Sequence, residues 1–75
     1  MNSDFVARLA NSLAKRLQSG DDAVDIRNAY PLLYGREASK AEVELGRQFL
    51  ESKGASGWPE YAQALMSSNE FIFVN

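Results

Sequence analysis

In Ser3-Asp4-Phe5-Val6-Ala7-Arg8-Leu9-Ala10-Asn11-Ser12-Leu13-Ala14-Lys15-Arg16-Leu17-Gln18, the apolar residues Val6, Leu9, Leu13 and Leu17 recur at steps of three and four, with Phe5 and Ala10 beside them. That spacing lines one face of an α-helix and fits no strand. Asn2 or Ser3 can cap its start, Lys15 and Arg16 suit the negative pole of the helix dipole, and Gly20 is the expected stop. A chain that opens on such an amphipathic helix needs other apolar faces to bury it.

The following segments supply them. Asp21 and Asp22 offer a cap and first-turn carboxylates for a second helix, in which Val24, Ile26, Ala29, Tyr30 and Leu33 lean to one side and Gly35 ends the run. Pro31 removes a backbone donor and crowds the carbonyl four residues earlier, so a kink or a break near residues 28–30 is expected, with the helix in one piece or two. Ser39-Lys40-Ala41-Glu42 reads as a capping box, and the third helix that follows carries Val43, Gly46, Phe49 and Leu50 on its apolar stripe. Gly46 in mid-helix sacrifices about 1 kcal/mol of propensity, which close helix packing explains better than flexibility does. Gly54 ends that helix. Pro59 suits a first helical position, placing a fourth helix with Tyr61, Ala62, Leu65 and Met66 inside. Ser67, Ser68 and Asn69 break the pattern ahead of Glu70-Phe71-Ile72-Phe73-Val74, read as a short final helical turn in preference to an extended tail.

The expected fold class is therefore all-α: a compact bundle of four main helices forming a single domain over residues 1–75. Its expected core is Leu9, Leu13, Leu17, Ile26, Leu33, Phe49, Leu50, Leu65 and Met66. At 75 residues the core is small, since a chain of this size buries only about 60% of its unfolded surface. A composition that is 45% hydrophobic and 24% charged belongs to a folded chain.

The chemistry is limited by what is missing. There is no cysteine and no histidine, which removes disulfides, thiolate metal sites, the thiol nucleophile and the commonest general base. Asp21, Asp22 and Asp25 cluster, but an EF-hand needs a glycine and a closing glutamate that are absent, so they read as helix caps. Glu42, Glu44, Glu51 and Glu60 read as solvated surface acids rather than a catalytic pair. Serine has no partner base and no nucleophile elbow, and Gly35-Arg36-Glu37 is no phosphate loop. No catalytic, metal-binding or cofactor-binding residue is assigned, and the segment is not expected to be an enzyme. A net charge of -2 with interspersed signs provides no footprint for nucleic acid, and there is no basic recognition helix for a helix-turn-helix binder. No apolar run approaches the roughly 20 residues that span a bilayer. The aromatics read mostly as core, while Phe71, Phe73 and Val74 exceed what a short tail needs and are the candidate interaction surface.

Met1-Asn2-Ser3-Asp4-Phe5-Val6, Leu33-Tyr34-Gly35-Arg36-Glu37 and Ala64-Leu65-Met66-Ser67-Ser68-Asn69-Glu70-Phe71, in that order, resemble the C-terminal end of the planctomycete cytochrome-associated proteins. Pro31 departs from that pattern, which more often has a polar or charged residue there. The resemblance implies a C-terminal domain of unknown function in a large, exported multidomain bacterial protein, and hence an exported or periplasmic parent. It implies haem elsewhere in the parent, since attachment through Cys-x-x-Cys-His is impossible here. The expected role is a structural and interaction module that packs on its parent or another protein. The alternative is an accessory domain lending Arg36, Glu37 or Glu70 to an enzyme or redox site of the parent.

Overall fold

A computed structural model describes residues 3–54 and 57–68. The chain forms α1 (Ser3–Leu17), α2 (Asp22–Tyr34), α3 (Lys40–Lys53) and α4 (Gly57–Met66), with no strand among the described residues. The radius of gyration is 11.5 Å, close to the ~11 Å of a compact chain of this length. This is the all-α four-helix bundle that the periodicity predicts.

Local chemistry sets the boundaries. Val24 N–H donates to the Asp21 carboxylate at 3.2 Å to cap α2, and Gly35 closes it in the left-handed conformation at φ 71°, its N–H donating to the Pro31 carbonyl. Both halves of the capping box form at α3: Glu42 N–H donates to Ser39 Oγ at 3.1 Å, and Ser39 N–H donates to Glu42 Oε1 at 2.8 Å. Gly54 ends α3.

Two expectations about boundaries need correction. α2 runs unbroken through Pro31, which opens its last turn; the carbonyl left without a donor belongs to Arg27, an exposed residue on the solvent side of the helix. α4 begins at Gly57 rather than Pro59. Pro59 still falls within the first turn, where N–H groups have no intrahelical partner, and a Cβ on Gly57 would lie 2.7 Å from Lys53 Cβ.

The interior comprises two contiguous clusters. The larger joins Ala14, Ile26, Ala29, Tyr30, Leu50, Trp58, Tyr61 and Leu65. The smaller joins Val6 and Ala10 of α1 to Ala62 and Met66 of α4, and Leu33 packs against both clusters. The expected core is right for Ile26, Leu50, Leu65 and Met66, while Leu13, Leu17, Leu33 and Phe49 are only half-buried. Leu9 is 40% exposed and Val24 41%, so neither belongs to the interior. The cause on α1 is its seat on α4: Val6 and Ala10 face inward to cluster with Ala62 and Met66, and with that side buried Leu9 falls at the rim. Trp58, placed by the sequence at a helix entrance, is the largest fully buried side chain.

The Asn2 cap, the loop residues Ala55 and Ser56, the Asn69 cap, the final turn or tail, and the contact residues Phe71, Phe73 and Val74 lie outside the described residues.

Candidate functional site

Three features carry the polar and exposed apolar groups, and they differ in what they can do.

The acidic entrance to α2 is a set of separate hydrogen-bond acceptors. Asp21 caps the helix, Asp22 Oδ1 accepts from the Trp58 indole N–H at 3.3 Å, and Asp25 accepts from Ser19 N–H at 2.8 Å and Ser19 Oγ–H at 2.5 Å. Asp25 is fully buried, a place that the reading of it as a helix cap did not anticipate. Its position one helical turn before Ala29 on the inner face was the available signal. Among the described residues no three acidic side chains converge as a metal would require, and no buried side-chain nitrogen or oxygen lacks a partner.

The second feature is aromatic. Tyr30 and Tyr34 meet edge to face at 5.0 Å, Trp58 and Tyr61 at 5.3 Å, and the Arg36 guanidinium lies 5.4 Å from the Tyr30 ring centre and 5.7 Å from that of Tyr34. Arg36 also donates to both carboxylate oxygens of Glu42 at 2.9 Å. That fork, with the Ser39 N–H, holds Glu42 at a pKa of about 2, below its ordinary 4.5. Burial raises the Tyr30 and Tyr61 phenols above their usual value, so both stay protonated through the neutral range. The Tyr34 hydroxyl donates to the Leu65 carbonyl at 2.8 Å and lies 3.0 Å from Ser68 Oγ, tying the end of α2 to the end of α4. A shallow groove of about 230 Å³ opens beside Tyr30, Phe49 and Tyr61, with Leu45 67% exposed at its edge. Its polar groups are locked into structural contacts: a neutral phenol is a poor nucleophile, and Arg36 is tied to Glu42. Of the other surface glutamates, Glu44 and Glu51 pair with Arg47 and Glu60 with Lys53.

The third feature is apolar. Leu9 and Leu13 of α1, Leu32 and Leu33 of α2, and Met66 of α4 line a groove of about 170 Å³, with Arg16 at its rim. Leu32 is 63% exposed and Leu9 40%. The contact surface expected from the sequence, Phe71, Phe73 and Val74, lies outside the described residues, and this groove is a feature the sequence reading does not single out. The signal lay in Leu32-Leu33, two adjacent leucines that cannot both face inward on one helix.

No family model, no curated protein and no solved structure matches the chain. Among the described residues no helix is long and apolar enough to cross a membrane.

Proposed function

We propose that this chain is a non-catalytic helical interaction module that docks through the α1/α2 face. The observation that carries the reading is the groove of Leu9, Leu13, Leu32, Leu33 and Met66, where apolar side chains from three helices remain accessible along one seam. Placement at the C-terminus of a larger exported bacterial protein rests on the three resembling motifs alone. The accessory-site alternative is disfavoured by the engagement of Arg36 with Glu42, Tyr30 and Tyr34; Glu70 lies outside the described residues.

The test is a photo-reactive amino acid at position 32, in the cells that make the protein, with position 45 as the exposed control. Cross-links from 32 to one identified polypeptide, absent from 45, are expected. Equal, diffuse labelling from both positions would refute the docking face.

A further inference from the structure

The apolar groove is bordered on its α1 side by positive charge. Met66, 4% exposed, forms its floor, and Leu13 and Leu33 are half-buried beside it. Leu32 of α2 and Leu9 of α1 stand at its edges. Round α1 from Leu9, away from the buried side, come exposed Arg16 at about 20°, Phe5 at about 40° and Ser12 at about 60°. Arg8 and Lys15, also exposed, follow at about 100° and 120°. Asp4, the one acid of α1, lies beyond them at about 140°. Among the described residues Arg36, Arg47 and Lys53 are the bases in ion pairs; of the five other bases, three stand on this flank of α1. Three bases against one acid give α1 a formal charge of +2, in a chain whose net charge is -2. Screening over about 8 Å at physiological salt lets a ligand in the groove feel the rim more than the whole chain.

We propose that this face takes an acidic amphipathic helix of a different protein. Apolar residues of that helix, spaced i, i+3 or i+4 and i+7, seat between Leu9 and Leu32 against Met66. Its aspartates and glutamates run along Arg16, with Arg8 and Lys15 within reach of their long side chains behind it. The inference rests on the docking face proposed above and names the chemistry of its partner. Shape selects a helix over a bilayer. A flat anionic membrane would meet Phe5, Leu9 and Leu32 on the rims and leave the Met66 floor uncovered, whereas side chains projecting from a helix reach it. α1 spans 15 residues, about 22 Å, so three to four turns of a partner helix fill the seam. An interface of that size is weak and reversible, and its exposed charges make it weaken as salt rises.

Mass spectrometry of the polypeptide cross-linked from position 32 tests it. The linked segment is expected to carry a net negative charge and apolar residues at helical spacing. A labelled synthetic peptide of that segment is then titrated against the full chain by fluorescence anisotropy. Binding should weaken as salt rises, and about tenfold or more in the triple variant Arg8→Glu, Lys15→Glu, Arg16→Glu. All three sites are exposed, and circular dichroism checks that the helices remain; Arg16→Gln, a milder change, should weaken binding in the same direction. A basic or uncharged linked segment, or charge variants that bind as the unaltered chain does, would overturn the acidic partner and leave the docking face standing. A link to residues 69–75 of the same chain, or to a second copy, would overturn the foreign helix. Co-sedimentation with phosphatidylglycerol vesicles but not phosphatidylcholine vesicles, lost in the triple variant, with no polypeptide linked from position 32, would assign the face to a membrane instead. Equal labelling from positions 32 and 45 would remove the docking face itself, and the acidic helix with it.

Discussion

Gly46 shows how one residue position is decided by packing against propensity. An added Cβ would stand 2.9 Å from Ile26 Cδ1 and collide with the Tyr61 hydroxyl. Gly46→Ala therefore should gain about 1 kcal/mol of helix propensity and lose about 1 to 3 kcal/mol to overpacking. A lowered midpoint in urea is expected, and a raised one would contradict the α2/α3/α4 contact. Asp25 is the second such position. Asp25→Ala leaves the Ser19 N–H and hydroxyl without their charged acceptor and empties a fully buried site, so a loss of about 1.5 to 3 kcal/mol is expected in chemical denaturation, with Asp25→Asn retaining part of it. The two positions differ in legibility. A glycine in the middle of a strong helix announces a close approach through its own cost, whereas a carboxylate in a first turn looks the same whether it caps a helix or reaches back to the preceding loop.

Elements were legible wherever a boundary is set within a few residues. The Asp21 cap, the Ser39/Glu42 box and the stops at Gly35 and Gly54 are local hydrogen-bond or dihedral chemistry, and each stands where the sequence places it. Pro31 was read as an interruption because a missing donor is costly inside a helix, but in a last turn beside solvent that cost is small enough for packing to override. The junction of α2 and α3 also gives a pH dependence. Glu42 is depressed to about 2 from 4.5, first by Arg36 and then by Ser39 N–H, so its ionised form is favoured by folding. Its contribution is fully present above pH ~4.5 and is lost as pH falls through ~2. Because the two side chains keep 40% and 31% of their exposure, water and salt screen the pair, and about 1 kcal/mol is expected. Thermal melts between those pH values should show a larger fall in the unaltered chain than in Arg36→Ala, and the difference should shrink in high salt. Parallel slopes would remove Arg36 from the account.

At the scale of the whole molecule, the sequence supplies enough apolar residues for one core but does not say which leucines reach it. That choice depends on how α1 seats on α4, where Val6 and Ala10 cluster with Ala62 and Met66, residues too far along the chain for any one window to contain both pairs. The same limit hid the part played by Trp58. It is 1% exposed, stacks edge to face on Tyr61 and donates to Asp22, so the first turn of α4 is held to the first turn of α2. A chain of 75 residues has about 4 to 11 kcal/mol of stability in total. Trp58→Ala, at about 3 to 5 kcal/mol, should remove a large share of it. Trp58→Phe keeps a ring against Tyr61 and gives up the indole hydrogen bond and some volume; because Asp22 is half-buried and can turn to water, a loss of about 1 to 2 kcal/mol is expected. Leu9→Ala is the counterpart on the rim. As a core leucine it would cost about 2 to 5 kcal/mol, but at 40% exposure it leaves little cavity and should cost about 1 kcal/mol. Urea unfolding followed by circular dichroism, which does not depend on the single tryptophan, ranks the three variants. Trp58→Ala is expected to be the least stable, then Trp58→Phe, then Leu9→Ala. A Leu9→Ala variant as damaged as Trp58→Ala would mean that the interior is organised around the leucine stripe of α1 and not around the indole.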